Sequence, residues 1–160
     1  MWNLLPFATP LANFIEGAID SCRDSVTPVV GSIVYCDMYC GYADHSGVYI
    51  GNNEIVHLNG DGLIEVVSPK GFMANTTAVN IYVSCEGDYA AGASYVAANA
   101  KQMLGESRKY NIIINNCHQF TAGCINGDFE NSCSFMWMLK DEAKQHLSTN
   151  TWRHWDSDFY

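Results

Sequence analysis

The chain has 160 residues, 48% of them hydrophobic, which suits one ordinary domain with its own core. Eight Lys and Arg against 17 Asp and Glu give a net charge of -9 without any basic cluster. That excludes a nucleic-acid face and electrostatic attachment to anionic lipid. No stretch reaches the roughly 18–20 apolar residues of a spanning helix. The first residues, Met1-Trp2-Asn3-Leu4-Leu5-Pro6-Phe7, lack the basic region of a secretory leader. The expectation is a soluble, cytoplasmic protein with no transmembrane anchor, for which transient membrane contact through apolar groups stays open. Seven cysteines, at 22, 36, 40, 85, 117, 124 and 133, form an odd set without a disulfide framework. They read mostly as buried thiols in a reducing compartment.

Leu11, Phe14, Ile15, Ala18, Ile19 and Cys22 recur at helical spacing, predicting an N-terminal helical extension over 1–28 that ends at Thr27-Pro28. Residues 29–38 then read as a strand, β-branched and aromatic at Ile33-Val34-Tyr35. Two more strands, 46–50 and 54–58, flank Gly51-Asn52-Asn53, residues that tolerate the positive φ of a tight loop. A three-residue loop pairs Ile50 with Glu54 and hence Gly47 with His57. Val48, Ile50, Val56 and Leu58 then share the core face, and His45, Gly47, Tyr49, Ile55 and His57 the other. The two histidines become diagonal neighbours, about 7–8 Å apart at the backbone. A two-residue loop would shift the parity and split both sets.

Residues 63–67 predict a third strand, stopped by Ser68-Pro69, and 78–83 a fourth. Asp88 is placed to cap a helix over 89–104, which Gly105 ends. Residues 110–114 read as a short extended segment. Asn115 or Asn116 caps a helix over 117–125, with Gly127 beyond its end, and Ser134 opens a last helix to Leu147. A tail over 148–160, rich in aromatic and acidic residues (Trp152, Trp155, Phe159, Tyr160), packs on the same domain. The fold class is α+β, an antiparallel sheet flanked by helices, with 29–147 as the functional domain.

Cys117, at the start of a helix, feels unpaired backbone N–H groups and the positive end of the helix dipole, both of which lower a thiol pKa. A neighbouring imidazolium lowers it further. Cys117 and His45 thus form a candidate thiolate–imidazolium pair, with His57 orienting the base. The N–H of Cys117 and of a neighbouring residue would face a developing oxyanion. Asn116, His118 and Tyr49 are the surrounding candidates for oxyanion or supporting roles, with His118 about 100° around the helix from the cysteine. The reaction class is acyl transfer through a thioester, with no metal and no cofactor. A zinc site on Cys36, Cys40 and His45 lacks a second pair of ligands and would consume the base.

His45-Ser46-Gly47-Val48-Tyr49-Ile50-Gly51, a second histidine at His57, and Asn116-Cys117-His118-Gln119-Phe120 occur in that order. Across residues 29–127 this resembles the lecithin:retinol acyltransferase-like branch of the circularly permuted papain-like superfamily. In ordinary papain-like enzymes the cysteine precedes the histidine. The resemblance implies a permuted papain-like fold, with Cys117 as nucleophile, His45 as base and His57 as third member. Relatives act as phospholipases or as acyltransferases to amines or retinol, and some viral ones have lost catalysis. Where the animal lipid enzymes carry an aromatic residue after the first histidine, this chain has Ser46. Permuted isopeptidases share the order and a Tyr-Asn like Tyr110-Asn111, but lack the second histidine. The implied substrate carries an acyl group, as a lipid ester or a peptide or isopeptide. Cysteine peptidase or amidase activity, or an inactive interaction module, are the alternatives.

Overall fold

A computed structural model describes residues 24–109 and 116–156, together with Ile15, Ala18 and Ile19, which are helical. The rest of the N-terminal extension, the segment 110–114 and the aromatic residues Phe159 and Tyr160 lie outside the described residues. The architecture is α+β. Its strands are β1 (Ile33–Met38), β2 (Ala43–Gly51), β3 (Glu54–Leu58), β4 (Ile64–Val67), β5 (Tyr82–Glu86), β6 (Tyr89–Ala90) and β7 (Thr151–His154). They form one seven-stranded sheet in the order β4-β3-β2-β1-β5-β6, with β7 also on β5, and every pairing is antiparallel. The helices are α1 (Pro69–Phe72), α2 (Ser94–Gln102), α3 (Cys117–Asn126) and α4 (Met136–Leu147).

Strand parity sorts the apolar residues into two cores. Val48, Ile50, Val56 and Leu58 join Ile33 and Tyr35 beneath α2, α3 and α4, which contribute Val96, Phe120, Ile125 and Leu139 among others. Tyr49 and Ile55 point the opposite way, into a smaller cluster with Val34, Cys36, Ile81, Val83, Phe72 of α1 and Trp155. This is the division that the alternation in β2 and β3 predicts.

The hairpin reaches that parity by a different route. Its loop is the two residues Asn52 and Asn53, at φ of 54° and 57°, both positive as a type I′ turn demands. Gly51 pairs with Glu54, yet Tyr49 pairs with Ile55 and Val48 with Val56. Ile50 is therefore the extra residue of a β-bulge, which restores the frame that a two-residue loop alone would have shifted.

Three expectations need correction. The fourth strand lies at Tyr82–Glu86, not 78–83. Its continuation is buried, since Ser84 accepts from the Ile33 N–H at 2.9 Å and donates to the Ala91 carbonyl at 2.7 Å. Asp88 caps no helix: Gly87 and Asp88 turn the chain into β6, the Asp88 carboxylate pairs with Arg153, and α2 starts only at Ser94. The last helix starts at Met136 rather than Ser134. The tail also supplies a strand, β7, whose Trp152 packs edge-on to Tyr35 with ring centroids 5.4 Å apart. No helix among the described residues is long and apolar enough to cross a membrane.

Candidate active site

Asn116 is the N-cap of α3. Its Oδ1 accepts from the N–H of His118 at 2.9 Å and of Gln119 at 3.0 Å, while its Nδ2 donates to the Ser134 carbonyl at 2.8 Å. Cys117 is thereby fixed as the first residue of a ten-residue helix that Gly127 ends at φ 81°. The side chain of Asn116 thus caps the helix through its oxygen and anchors to the Ser134 carbonyl through its nitrogen. The cap also takes the N–H of His118, leaving that of Cys117 itself as the first-turn donor beside the sulfur that the cap does not use.

Three successive residues of β2 address the Cys117 thiol. The Asp44 carbonyl lies 3.9 Å from Sγ. Burial alone would push the thiol pKa up, but a hydrogen bond and the charge of His45, with the backbone N–H and hydroxyl of Ser46, reverse this and hold it below its ordinary value. Cys117 is only 2% exposed. Three other buried thiols behave oppositely: burial raises Cys36 and Cys124, and Cys133 to about 12. Cys40 is the exposed one of the six described free cysteines. Among the described cysteines, Cys117 alone opens a capped helix beside a histidine.

His45 and His57 meet as parity predicts. His45 Nε2 and His57 Nδ1 are 2.6 Å apart, and the rings cross at 74° with centroids 4.8 Å apart. With Nε2 engaged, Nδ1 is the nitrogen that His45 has left for Cys117. His57 Nε2 lies 3.3 Å from Glu65 Oε1, which also accepts from Asn59 Nδ2 at 2.9 Å. Burial lowers the His57 pKa and Glu65 partly offsets this, so His57 is neutral near pH 7.

Beneath both rings lies Phe72, stacked on His45 at 4.6 Å and tilted against His57 at 5.7 Å. Gly47 makes room for it. A Cβ there would come within 2.8 Å of the Val56 carbonyl oxygen and 3.1 Å of the Phe72 ring. Phe72 arrives because Ser68 caps α1, accepting from the Gly71 N–H at 3.1 Å, with Pro69 at the first helical position.

His118 falls beside Cys117 and Tyr49 away from it. His118 is buried, its Nδ1 is 2.8 Å from Ser46 Oγ and 3.9 Å from Cys117 Sγ, and burial lowers its pKa to about 4. It buttresses Ser46 as a neutral imidazole, joined by Thr121, whose hydroxyl lies 3.1 Å from Ser46 Oγ and donates to the Cys117 carbonyl at 2.8 Å. Tyr49 is not brought to Cys117. Its ring packs edge-on to Trp155, and its hydroxyl accepts from the Asn53 N–H at 3.5 Å, at the turn end of the hairpin.

Sequence reasoning missed Glu65, Ser46 and Phe72 as parts of the site. The first was within reach, because pairing Leu58 with Ile64 across the Asn59–Gly62 turn sets His57 opposite Glu65. A cavity of about 450 Å³ lies against the imidazole pair, lined by His45, His57, Asn59, Asp61, Glu65 and Phe72 among others, and its lining stops short of Cys117. Among the described residues no group of three His, Cys, Asp or Glu side chains could hold a metal ion. No protein-family model matches the chain, and no curated protein matches it.

Proposed function

We propose that this protein is a cysteine-dependent acyl-transfer enzyme, with Cys117 as nucleophile, His45 as general base and His57 as the residue orienting it, on a circularly permuted papain-like fold. One observation carries the reading: Cys117 opens the Asn116-capped helix α3 against β2, beside a His45–His57 pair 2.6 Å apart, and His45 is the main group holding its thiol below the ordinary value. The Cys117 thiolate attacks an ester or amide carbonyl, forming a carbon–sulfur bond. The oxyanion that develops faces the N–H of Cys117. As the tetrahedral adduct collapses, the bond to the leaving alcohol or amine breaks and the His45 imidazolium gives that group its proton. Neutral His45 then takes a proton from water or an acceptor amine or hydroxyl, which attacks the thioester and releases the thiolate.

The polar groups around the cavity favour a peptide-like or otherwise polar substrate over a long acyl chain. The peptidase or amidase form of the chemistry gains most from this.

The test is an activated ester with a chromogenic alcohol. The wild type releases a burst of one equivalent, and mass spectrometry finds the acyl group on Cys117. Cys117→Ala falls to the uncatalysed rate, and full activity in that variant would refute the proposal. His57→Ala loses about tenfold or more, roughly 1.4 kcal/mol of transition-state stabilisation. A loss under about twofold removes His57 from the mechanism.

A further inference from the structure

Glu65 stands where the hydrogen-bond chain from the thiol meets solvent. It sits on β4 directly opposite His57, with its side chain 37% exposed against 8% for the histidine. It is held in place from the turn. Asn59 Oδ1 accepts from the N–H of Asp61 at 2.9 Å and of Leu63 at 3.0 Å, and its Nδ2 donates to Glu65 Oε1. A carboxylate accepts and does not donate. The proton between His57 and Glu65 therefore belongs to His57 Nε2, and His57 Nδ1 is left as an acceptor. The only donor that can satisfy it at 2.6 Å is Nε2–H of His45. A His45 that donates from Nε2 and also faces a thiolate from Nδ1 carries both protons, so it is the imidazolium.

We propose that Glu65 is a positioning residue, whose carboxylate fixes the proton order along His57 and His45 and so holds the Cys117 thiolate–imidazolium pair together. This rests on the reading of Cys117 and His45 as the reacting pair. Other titratable groups surround the chain. Asp44 on β2 presents its carbonyl to the thiol while its carboxylate charge acts on His118 and Cys36, and His118 on α3 is buried neutral. Cys36 on β1, opposite His45, is a thiol raised by burial. Lys70 of α1 is exposed, and Asp61 and Tyr39 line the cavity without a hydrogen bond to either histidine.

The experiment uses two readouts that need no substrate. The ultraviolet absorbance of the thiolate, wild type minus Cys117→Ala, gives the titration of Cys117, and ring ¹⁵N NMR gives the tautomer of His57. Glu65→Gln keeps the shape and an acceptor for Asn59 but loses the charge. Its thiolate titration moves up by about one unit, so that thiolate is about tenfold scarcer below the midpoint. Glu65→Ala loses the acceptor as well, and the single Nε2–H tautomer of His57 gives way to a mixture. A merely structural role would lower thermal stability while leaving both signals at wild-type values, and that outcome overturns the proposal. A wild type with no acyl turnover, but with both signals moving as stated, would refute the enzymatic reading and leave the role of Glu65 standing.

Discussion

At the scale of single residues, the site is defined by which groups are kept neutral. His118 is the clearest case, with a pKa near 4 against an ordinary value of 6.5. Its neighbours include the Ser46 hydroxyl, the Cys117 sulfur and the Asp44 charge, which favours protonation. Burial outweighs it. As pH falls below 6.5 the unfolded chain takes up a proton here that the folded chain refuses until about pH 4. Stability is therefore full above pH 6.5 and declines between 6.5 and 4, by on the order of 3 kcal/mol. His57, also lowered, acts in the same direction. Denaturant midpoints measured across that window fall with acid in the wild type. They fall less in His118→Asn, whose amide oxygen can still accept from Ser46 but takes no proton.

At the scale of elements, the tail strand β7 is the part with the largest expected mutational cost outside the site. Trp152 is buried between the sheet and the helices, against Tyr35 and beneath Lys140, whose ammonium lies 5.5 Å from its ring centre. Trp152→Ala is expected to cost about 3–5 kcal/mol, read from urea denaturation. That strand was not legible in advance, because Trp-Arg-His-Trp carries no clean alternation. Its pairing is dictated by β5, whose own position depends on the buried hydroxyl of Ser84. The helix expected after Asp88 failed for a related reason: alanine-rich sequence favours helix, but pairing Glu86 with Tyr89 and Cys85 with Ala90 claims the first residues for the sheet. By contrast, the hairpin faces, the Asn116 cap and the meeting of His45 with His57 were legible. Each follows from a local rule, namely period-two alternation or capping chemistry. Phe72 escaped notice because a four-residue helix has no periodicity to detect.

At the scale of the whole molecule, the surplus of carboxylates over basic groups sets up self-repulsion across the surface. Among the described residues, Arg108 and Arg153 are tied to Glu130 and Asp88, and even with every basic group counted the carboxylates keep their surplus. Raising sodium chloride from 10 mM to about 300 mM shortens the screening length from roughly 30 Å to under 10 Å. The melting temperature is expected to rise over that range at pH 7.5, as followed by circular dichroism. An unchanged or falling value would mean that the acidic groups are better paired than their number implies.

Gly47 has a consequence for descent. A side chain at this position meets not only Phe72, which a smaller residue could replace, but the carbonyl of Val56, which no replacement removes. The two histidines meet through ring nitrogens, so exchanging either removes a side-chain contact and puts nothing into the backbone of a neighbouring strand. The glycine admits no such exchange. A lineage that abandoned the chemistry would lose the imidazoles first and keep the glycine. In such a descendant, a bare glycine facing an aromatic plate across this hairpin would be the surviving trace of a former active site.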